Sequence, residues 1–439
     1  MPELAKSLLC FDRSSEVDER WRWASHMDEL KDHPGKGAAP LILFTDASED
    51  HRNQEVMACL FQSMLRNSLN DPDLHSFVML LVPLHLVDDV GLLFEELGDF
   101  FAWQQQVLLS GQWPSVGHYK EDFAEGSTRW NKRGFSIVPA CKKYQSGTIT
   151  GWHGDTKERK VVVPSGRSYM HTNICDNCLA QGPEVNSVEA LCYMDLENPT
   201  CMQFKIDDRL AAKEMFGQHL RLLAVPFLSR ACVFFDWPHL RWLGIDRDFA
   251  ASALVVWLRY GTAQRFLAAK GVQAPKLRKS DNVLSMLWIL VRSHLKAHGI
   301  AVEKRCPFTV SSLGLTQYNV DVFSLPSWVK AEHVKAIMFG LAYLAREMAP
   351  YRHDDPEAAR TEALIELTLW SLSQLDALLA RSGKWFTDSE LQEFDRLFNI
   401  WRRSNQHLAV QFCDTKCFKL RPKSHYLLHI SGNTHCEPG

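Results

Sequence analysis

Apolar runs of two kinds divide this chain. Leu41-Ile-Leu-Phe44 lies between Pro40 and the polar cluster Asp46-Ala-Ser-Glu-Asp50, a pattern that predicts a short buried strand ending at a turn, with Asp46 at its carboxyl end. Ser76-Phe-Val-Met-Leu-Leu-Val82, closed by Pro83, predicts a second strand beside the first. Between them, Val56, Cys59/Leu60 and Met64 stand near helical spacing, so Asn53–Leu65 is expected as a helix on one face of that sheet. Phe94–Leu109 reads as a helix whose bulky face carries Phe100, Phe101, Trp103 and Val107. Phe135–Val138 and Gly147–Gly151 read as short strands around a polar turn. Val233-Phe-Phe235 is a further apolar run, and Pro238 predicts that it leaves into a loop.

Beyond that point the pattern is helical. Asp246 and Asp248 suit the positive end of a helix running through Ala253, Val256 and Trp257. Leu284, Leu287/Trp288, Val291 and Leu295 form one stripe, and Val334, Ile337/Met338, Leu341 and Leu344 another. Thr361–Leu379 follows, with Leu364, Leu367, Ser371, Leu375 and Leu378 on its expected inner face. Thr387-Asp-Ser-Glu390 is a capping box for a helix that turns Leu391, Phe394, Phe398 and Trp401 inward. Residues 1–35 read as a charged surface helix followed by a linker.

Composition narrows the class. The chain has 439 residues, enough for more than one structural unit, and its formal net charge of −3 gives no global basic field. The longest unbroken apolar run, Phe77–Leu84, is far too short for a membrane helix, so no membrane is expected as a partner. The first residues lack a secretory core, so the 12 cysteines are expected as thiols or metal ligands in a reducing, intracellular setting.

The candidate chemistry is of three kinds. Asp46 and Asp155, the latter in Trp152-His-Gly-Asp155, offer carboxylates from separate elements; such a pair can share Mg²⁺ or Mn²⁺, and a two-metal site favours in-line attack at phosphorus. Taken alone, Asp46 reads first as a strand-ending residue that caps a turn. Cys175-Asp-Asn-Cys178 has the spacing that lets two thiolates grip one Zn²⁺, with His171, Cys192 and Cys201 as nearby completing ligands. Asp236 and His239 can orient a water, ligate a metal or tie down a loop. The segment from Lys419 to His429 carries Lys419, Arg421, Lys423 and His425, a composition suited to phosphate contacts.

The order Asp46, Gly154-Asp155, Cys175-x-x-Cys178, Asp236-x-x-His239, Lys330-Ala-Glu-His333, Arg421-Pro-Lys-Ser-His425 resembles ribonuclease-H-like cut-and-paste DNA transposases of the CACTA and hAT neighbourhood, especially their multiplied relatives in dinoflagellate genomes. The resemblance runs from Leu41 to the end. It implies an α/β fold: a ribonuclease-H-like core with a cysteine-bearing insertion and a largely α-helical C-terminal half. The corresponding layout is residues 1–39 as helix and linker, 40–170 as the first part of the core, 171–232 as the cysteine insertion, and 233–439 as the remainder. It also implies that Asp46 and Asp155 are catalytic acids, with Asp236 and His239 as an accessory motif. Glu332 is the expected third acid, with Glu366 and Glu437 as the other candidates. In such elements that acid lies beyond the Arg-Pro-Lys-x-His segment, whereas the sequence stops at Gly439, so a truncated or degenerate copy is expected. DNA, a nuclear location and a homo-oligomer go with this reading. An inactive descendant serving as a nucleic-acid- or protein-binding scaffold is its rival.

Overall fold

The computed structural model describes residues 39–49, 55–63, 76–136, 147–154, 173–175, 177–182, 192–197, 199–203, 233–316, 321–382 and 386–433. These residues make a mixed, helix-rich α/β protein in two compact units, one holding the strands and the other the helical second half.

The strand-bearing unit is built on one five-stranded sheet of order β3-β2-β1-β4-β5. Its strands are β1 (Ala39–Glu49), β2 (Glu55–Ser63), β3 (Ser76–Pro83), β4 (Gly147–Gly154) and β5 (Val233–Phe235). β1, β2 and β3 form an antiparallel meander, and β4 and β5 then add in parallel beside β1. Leu43 on β1 stands opposite Trp152 on β4, and both are fully buried. Helix α1 (Val90–Ser110) packs against β4, burying Leu97, Phe101, Gln105 and Leu108. Gly111 stops it with φ 64°, a left-handed conformation that costs glycine nothing. A short helix, α2 (Thr128–Lys132), follows.

Four sequence expectations change here. Asn53–Leu65 is no helix: its core is strand β2, which lies between the two runs expected to be neighbours. Its buried residues, Met57 and Cys59, are two apart, and pairing on both edges outweighs a spacing that also fits a helix. β1 does not end at Asp46 but runs on to Glu49, with Asp46 opposite Ala58. α1 buries the 97/101/105/108 stripe rather than the aromatic face at Phe100 and Trp103, which is half-exposed. Phe135 is an exposed bend, Ser136 forms a lone bridge to Gln112, and 137–138 lie outside the described residues, as does the N-terminal helix expected in 1–35.

The helical unit starts as β5 ends. Pro238 sits in the first turn of α3 (Trp237–Leu240), where its missing N–H costs nothing, so the strand leaves into a helix rather than a loop. α3 runs through a π-turn (Arg241–Asp246) into α4 (Arg247–Arg259). From Asp248 to Trp257 every residue of α4 is buried, the pattern of a helix surrounded on all sides. Then come α5 (Thr262–Ala269), α6 (Ala274–Leu277), α7 (Ser280–Ala297), α8 (Ala331–Met348), α9 (Pro356–Arg381), α10 (Asp388–Gln411) and α11 (Pro422–Asn433). The stripes expected on α7 and α8 are buried in full. Gly340 lets those two helices close up, since a Cβ there would stand 2.7 Å from a Val291 methyl.

α9 is rotated relative to expectation: Ile365, Leu369, Leu372, Leu375 and Leu378 face inward, while Leu367 is exposed. Small polar residues explain the difference. Thr368 donates to the Leu364 carbonyl and bonds Ser404 of α10 at 2.7 Å, so the inner face tolerates Thr and Ser. Among the described helices α9 alone is long and apolar enough to cross a membrane, with mean hydropathy 1.3, a length that no unbroken apolar run reveals. Half of that window is buried within the protein.

The capping box on α10 forms as expected. The Glu390 N–H donates to the Thr387 hydroxyl at 3.3 Å, and the Thr387 N–H donates to the Glu390 carboxylate at 2.7 Å. Those hydrogen bonds hold the Glu390 carboxyl below the usual range. Thr387→Ala is expected to cost about 1 kcal/mol in urea unfolding. An unchanged midpoint would mean that the cap does not hold the helix end.

Candidate metal centre

The cysteine loop is built as a tight knuckle. Asn173 bridges Gln181, the Ile174 N–H donates to the Ala180 carbonyl at 3.1 Å, and the Gln181 amide donates to Asn173 at 3.0 Å. This turn holds Cys175 and Cys178 as fully buried thiols outside any disulfide. The Asn177 N–H points at the Cys175 sulfur at 3.4 Å, and a backbone N–H on sulfur favours the thiolate, the form that binds metal.

A histidine pair answers it. His425 and His429 are four residues apart on α11 and therefore share one face. Both are buried, with Nε2 atoms 3.2 Å apart and rings nearly perpendicular at 89°. The Cys201 sulfur lies 4.0 Å from His425 Nδ1.

Cys175, Cys178, His425 and His429 could together hold a metal ion such as zinc, because one ligand atom from each lies within 4.8 Å of all the others. Two thiolates and two imidazoles are a tetrahedral zinc set, and Zn–S and Zn–N bonds of about 2.3 and 2.0 Å span such a cluster. Four protein ligands leave no open position, so the centre suits structure rather than catalysis. Thiolates also disfavour Mg²⁺ and Mn²⁺, and nothing in the described residues supports either of those ions.

No family model, curated protein or solved structure matches the chain.

Of the residues expected to hold zinc, the cluster contains Cys175 and Cys178 but not Cys201, and it takes its other two from α11. His171 lies outside the described residues, and Cys192, half-buried, is not in the cluster. The missed ligand pair carries a readable signal, His-x-x-x-His, which completes a Cys-x-x-Cys zinc pattern. Its place within a basic segment hides it. His425 is fully buried, so it is a metal ligand candidate and not a phosphate contact. Of the remaining basic candidates, Lys419 is exposed, Arg421 pairs with Asp248 at 3.0 Å, and Lys423 donates to the His239 carbonyl at 3.0 Å.

The acids are more dispersed. Asp46 lies two residues beyond Phe44, the last β1 residue paired with β4, and Phe44 stands opposite His153. Asp155 follows the last residue of β4 in sequence and is itself outside the described residues, as is Glu437. Glu332 sits in the first turn of α8, its side chain 82% exposed and 3.7 Å from His333. Glu366 is tied to Arg352. Asp236 follows β5 directly and His239 lies on α3, both half-buried.

Several buried ionisable groups belong to the scaffold. Burial pushes the Cys59 thiol up to about 12, which makes it an inert core residue. Glu362 accepts from Thr262 and from the His353 N–H at 2.8 Å. Arg241 and Asp246, both fully buried, form a two-pronged pair with Nε–Oδ1 and Nη2–Oδ2 each at 3.0 Å. Asp376 joins them 3.4 Å from Arg241 and accepts from the Trp242 indole at 3.2 Å. Burial opposes the charge on Arg241, but Asp246 and Asp376 more than offset it and its pKa is raised. Burial, against the pull of Arg241, lifts Asp376 to about 6.

Proposed function

We propose that this chain is a transposon-derived protein with a ribonuclease-H-like core, in which Asp46 and Asp155 hold Mg²⁺ or Mn²⁺ for phosphodiester cleavage and strand transfer on DNA. The carrying observation is the parallel pairing of β1 with β4 in the register Phe44↔His153. Two-metal phosphoryl transfer needs carboxylates gathered around ions about 3.5–4 Å apart. Neighbouring parallel strands running in one direction can present carboxylates side by side, and in sequence Asp46 and Asp155 are each two residues past the paired Phe44 and His153. A nuclear location and a homo-oligomer belong to this reading.

A second reading is a catalytically inactive descendant that binds nucleic acid or protein. The exposed Glu332 and the ion-paired Glu366 favour it, since neither is arranged as a third metal-binding acid among the described residues. Both readings accommodate a structural zinc. A supercoiled-plasmid nicking assay with Mg²⁺ or Mn²⁺ separates them. The active reading expects nicking that Asp46→Asn and Asp155→Asn each reduce by about a thousandfold, the scale of several kcal/mol of charge stabilisation. Nicking indifferent to both substitutions would rule out this site, and no nicking with retained DNA binding would favour the scaffold.

A further inference from the structure

One side of α1 is left over once the sheet is covered. The helix buries its 97/101/105/108 stripe, and Glu96, Asp99, Trp103, Gln106 and Ser110 recur at helical spacing on the opposite side. Residues 112–120 supply a second wall, and between the two lies an open cleft of about 910 Å³, the size of a ligand site. The walls are tied to one another. His118 packs edge-on against Phe100 with ring centres 5.6 Å apart and lies 6.0 Å from Trp103, while Tyr119 sits beside it at 4.6 Å. The Trp113 N–H donates to the Phe135 carbonyl at 2.8 Å, and the Gly134 N–H donates to the Trp113 carbonyl at 3.0 Å, so that ring starts from a fixed backbone. His118 Nδ1 is buried in this wall without a hydrogen-bond partner among the described residues; such atoms call for an explanation, a bound group or water among them.

The cleft is both aromatic and negative. Trp103, Trp113 and Tyr119 line it, and Tyr119 is 75% exposed, a large ring that the fold leaves uncovered. Between Asp88 and Glu125 the sequence has eight acids against one cation, Lys120, which is exposed at the same cleft. The field of those acids reaches the rings. The Tyr119 pKa is raised, chiefly by the charge of Glu96, which also accepts its hydroxyl at 3.3 Å, and Glu121 adds to the effect. An aromatic face is itself negative and attracts a cation. The protein uses that attraction once here already, holding the exposed Lys132 ammonium 5.0 Å from the Trp113 ring centre. Rings backed by carboxylates repel a phosphate chain and suit an ammonium group.

We propose that this cleft binds a lysine side chain, unmodified or N-methylated, presented by a basic peptide. Its ammonium group would rest on the Trp103 and Trp113 rings, with Glu96 and Asp99 as counter-charge. The volume favours a peptide over a free amine, which would leave most of the cleft to water. The apolar stem of lysine also gains by lying along aromatic walls while its charged head stays near the carboxylates. The site belongs to the strand-bearing unit alone and goes beyond the DNA reading, since it serves an active or an inactive chain equally.

The test uses the full chain and a short fluorescein-labelled glycine–serine peptide with one central lysine, in free, trimethylated and acetylated forms, followed by anisotropy. A labelled oligothymidylate is titrated in parallel. Trp103→Leu keeps apolar bulk and removes the ring face, whereas Glu96→Gln removes one charge from an exposed position. Circular dichroism and thermal melting establish that each variant is folded. The free and trimethylated peptides are expected to bind, and the acetylated one at least about tenfold more weakly, because it has lost its charge. Trp103→Leu is expected to weaken binding of both charged peptides by about five- to thirtyfold. Glu96→Gln should weaken it too and flatten its dependence on salt. Acetylated peptide that binds as well as the free form, or charged peptides that bind both variants as they bind wild type, overturn the proposal. Oligothymidylate binding that Trp103→Leu abolishes, with no peptide binding, overturns it in favour of a base-stacking surface. The nicking assay bears on the catalytic reading alone.

Discussion

Replacing His425 with alanine is expected to remove one equivalent of bound zinc and at least about 3 kcal/mol of stability, the largest single effect predicted for this chain. The magnitude follows from what would be left. Cys175 and Cys178 are fully buried, and without the ion they must either reprotonate or remain as two neighbouring thiolates out of water. His429 would lose both the ion and the ring nitrogen 3.2 Å away. Structural zinc in small domains supplies roughly 10–16 kcal/mol of apparent binding free energy at neutral pH, so losing a fraction of it exceeds an ordinary core substitution. Metal analysis of the purified chain and a melting curve with and without a chelator are the measurements. A zinc-free protein that melts at the same temperature with chelator would show that no metal supports this fold. Cys192→Ser serves as the contrast, expected to leave zinc content unchanged because Cys192 is outside the cluster.

Asp246→Ala should destabilise the helical unit by about 3–5 kcal/mol, because it leaves Arg241 charged and fully buried with only part of its pairing. Arg241 Nη1 already has no partner among the described residues, so little spare hydrogen bonding exists to absorb the loss. Asp376→Asn is expected to behave differently. Asn keeps an acceptor for Trp242, while Asp246 continues to pair with Arg241. The Asp376 pKa is raised from 3.8 to about 6, chiefly by burial, so its stability contribution is complete below pH 3.8 and lost as pH rises through 6. Each pH unit between those two values is worth about 1.36 kcal/mol, so wild type should lose up to about 3 kcal/mol relative to Asp376→Asn between pH 4 and 7. Urea unfolding of both proteins across that range measures the difference. A gap that stays constant with pH would show that Asp376 does not titrate there.

What can be read from the sequence tracks how far each element depends on its own residues. α7 and α8 announce themselves because their inward stripes are long and apolar, and α10 because its start carries its own cap and Phe394, Phe398 and Trp401 recur at helical spacing. β2 is hidden because Val56, Cys59/Leu60 and Met64 fit a helical period, and only its two partner strands impose the alternation that buries Met57 and Cys59. The inner face of α9 is disguised because Thr368 satisfies itself against the Leu364 carbonyl, letting a polar residue sit inside while Leu367 faces out. The metal pair Cys175/Cys178 is visible from spacing alone. Its histidine neighbours are masked by the cations around them, and only burial separates His425 from the exposed Lys419. The buried Arg241–Asp246–Asp376 group has no sequence signature, since it draws on helices more than a hundred residues apart.

The π-turn at Arg241–Asp246 also acts as a phase shift in the chain. Each residue of an α-helix advances the side-chain direction by about 100°, so five residues of regular helix would carry Asp246 well around the axis from Arg241. The wider i→i+5 winding brings them back to one side, where they pair. Shortening this stretch by one residue would restore regular winding at the cost of that pair. It would also turn Trp237 and Leu240 by roughly a quarter of a revolution against α4, which is buried along its whole inner length. The local irregularity therefore fixes which side of the strand-to-helix passage faces the core, and insertions or deletions here should be tolerated far less than in the loops around it.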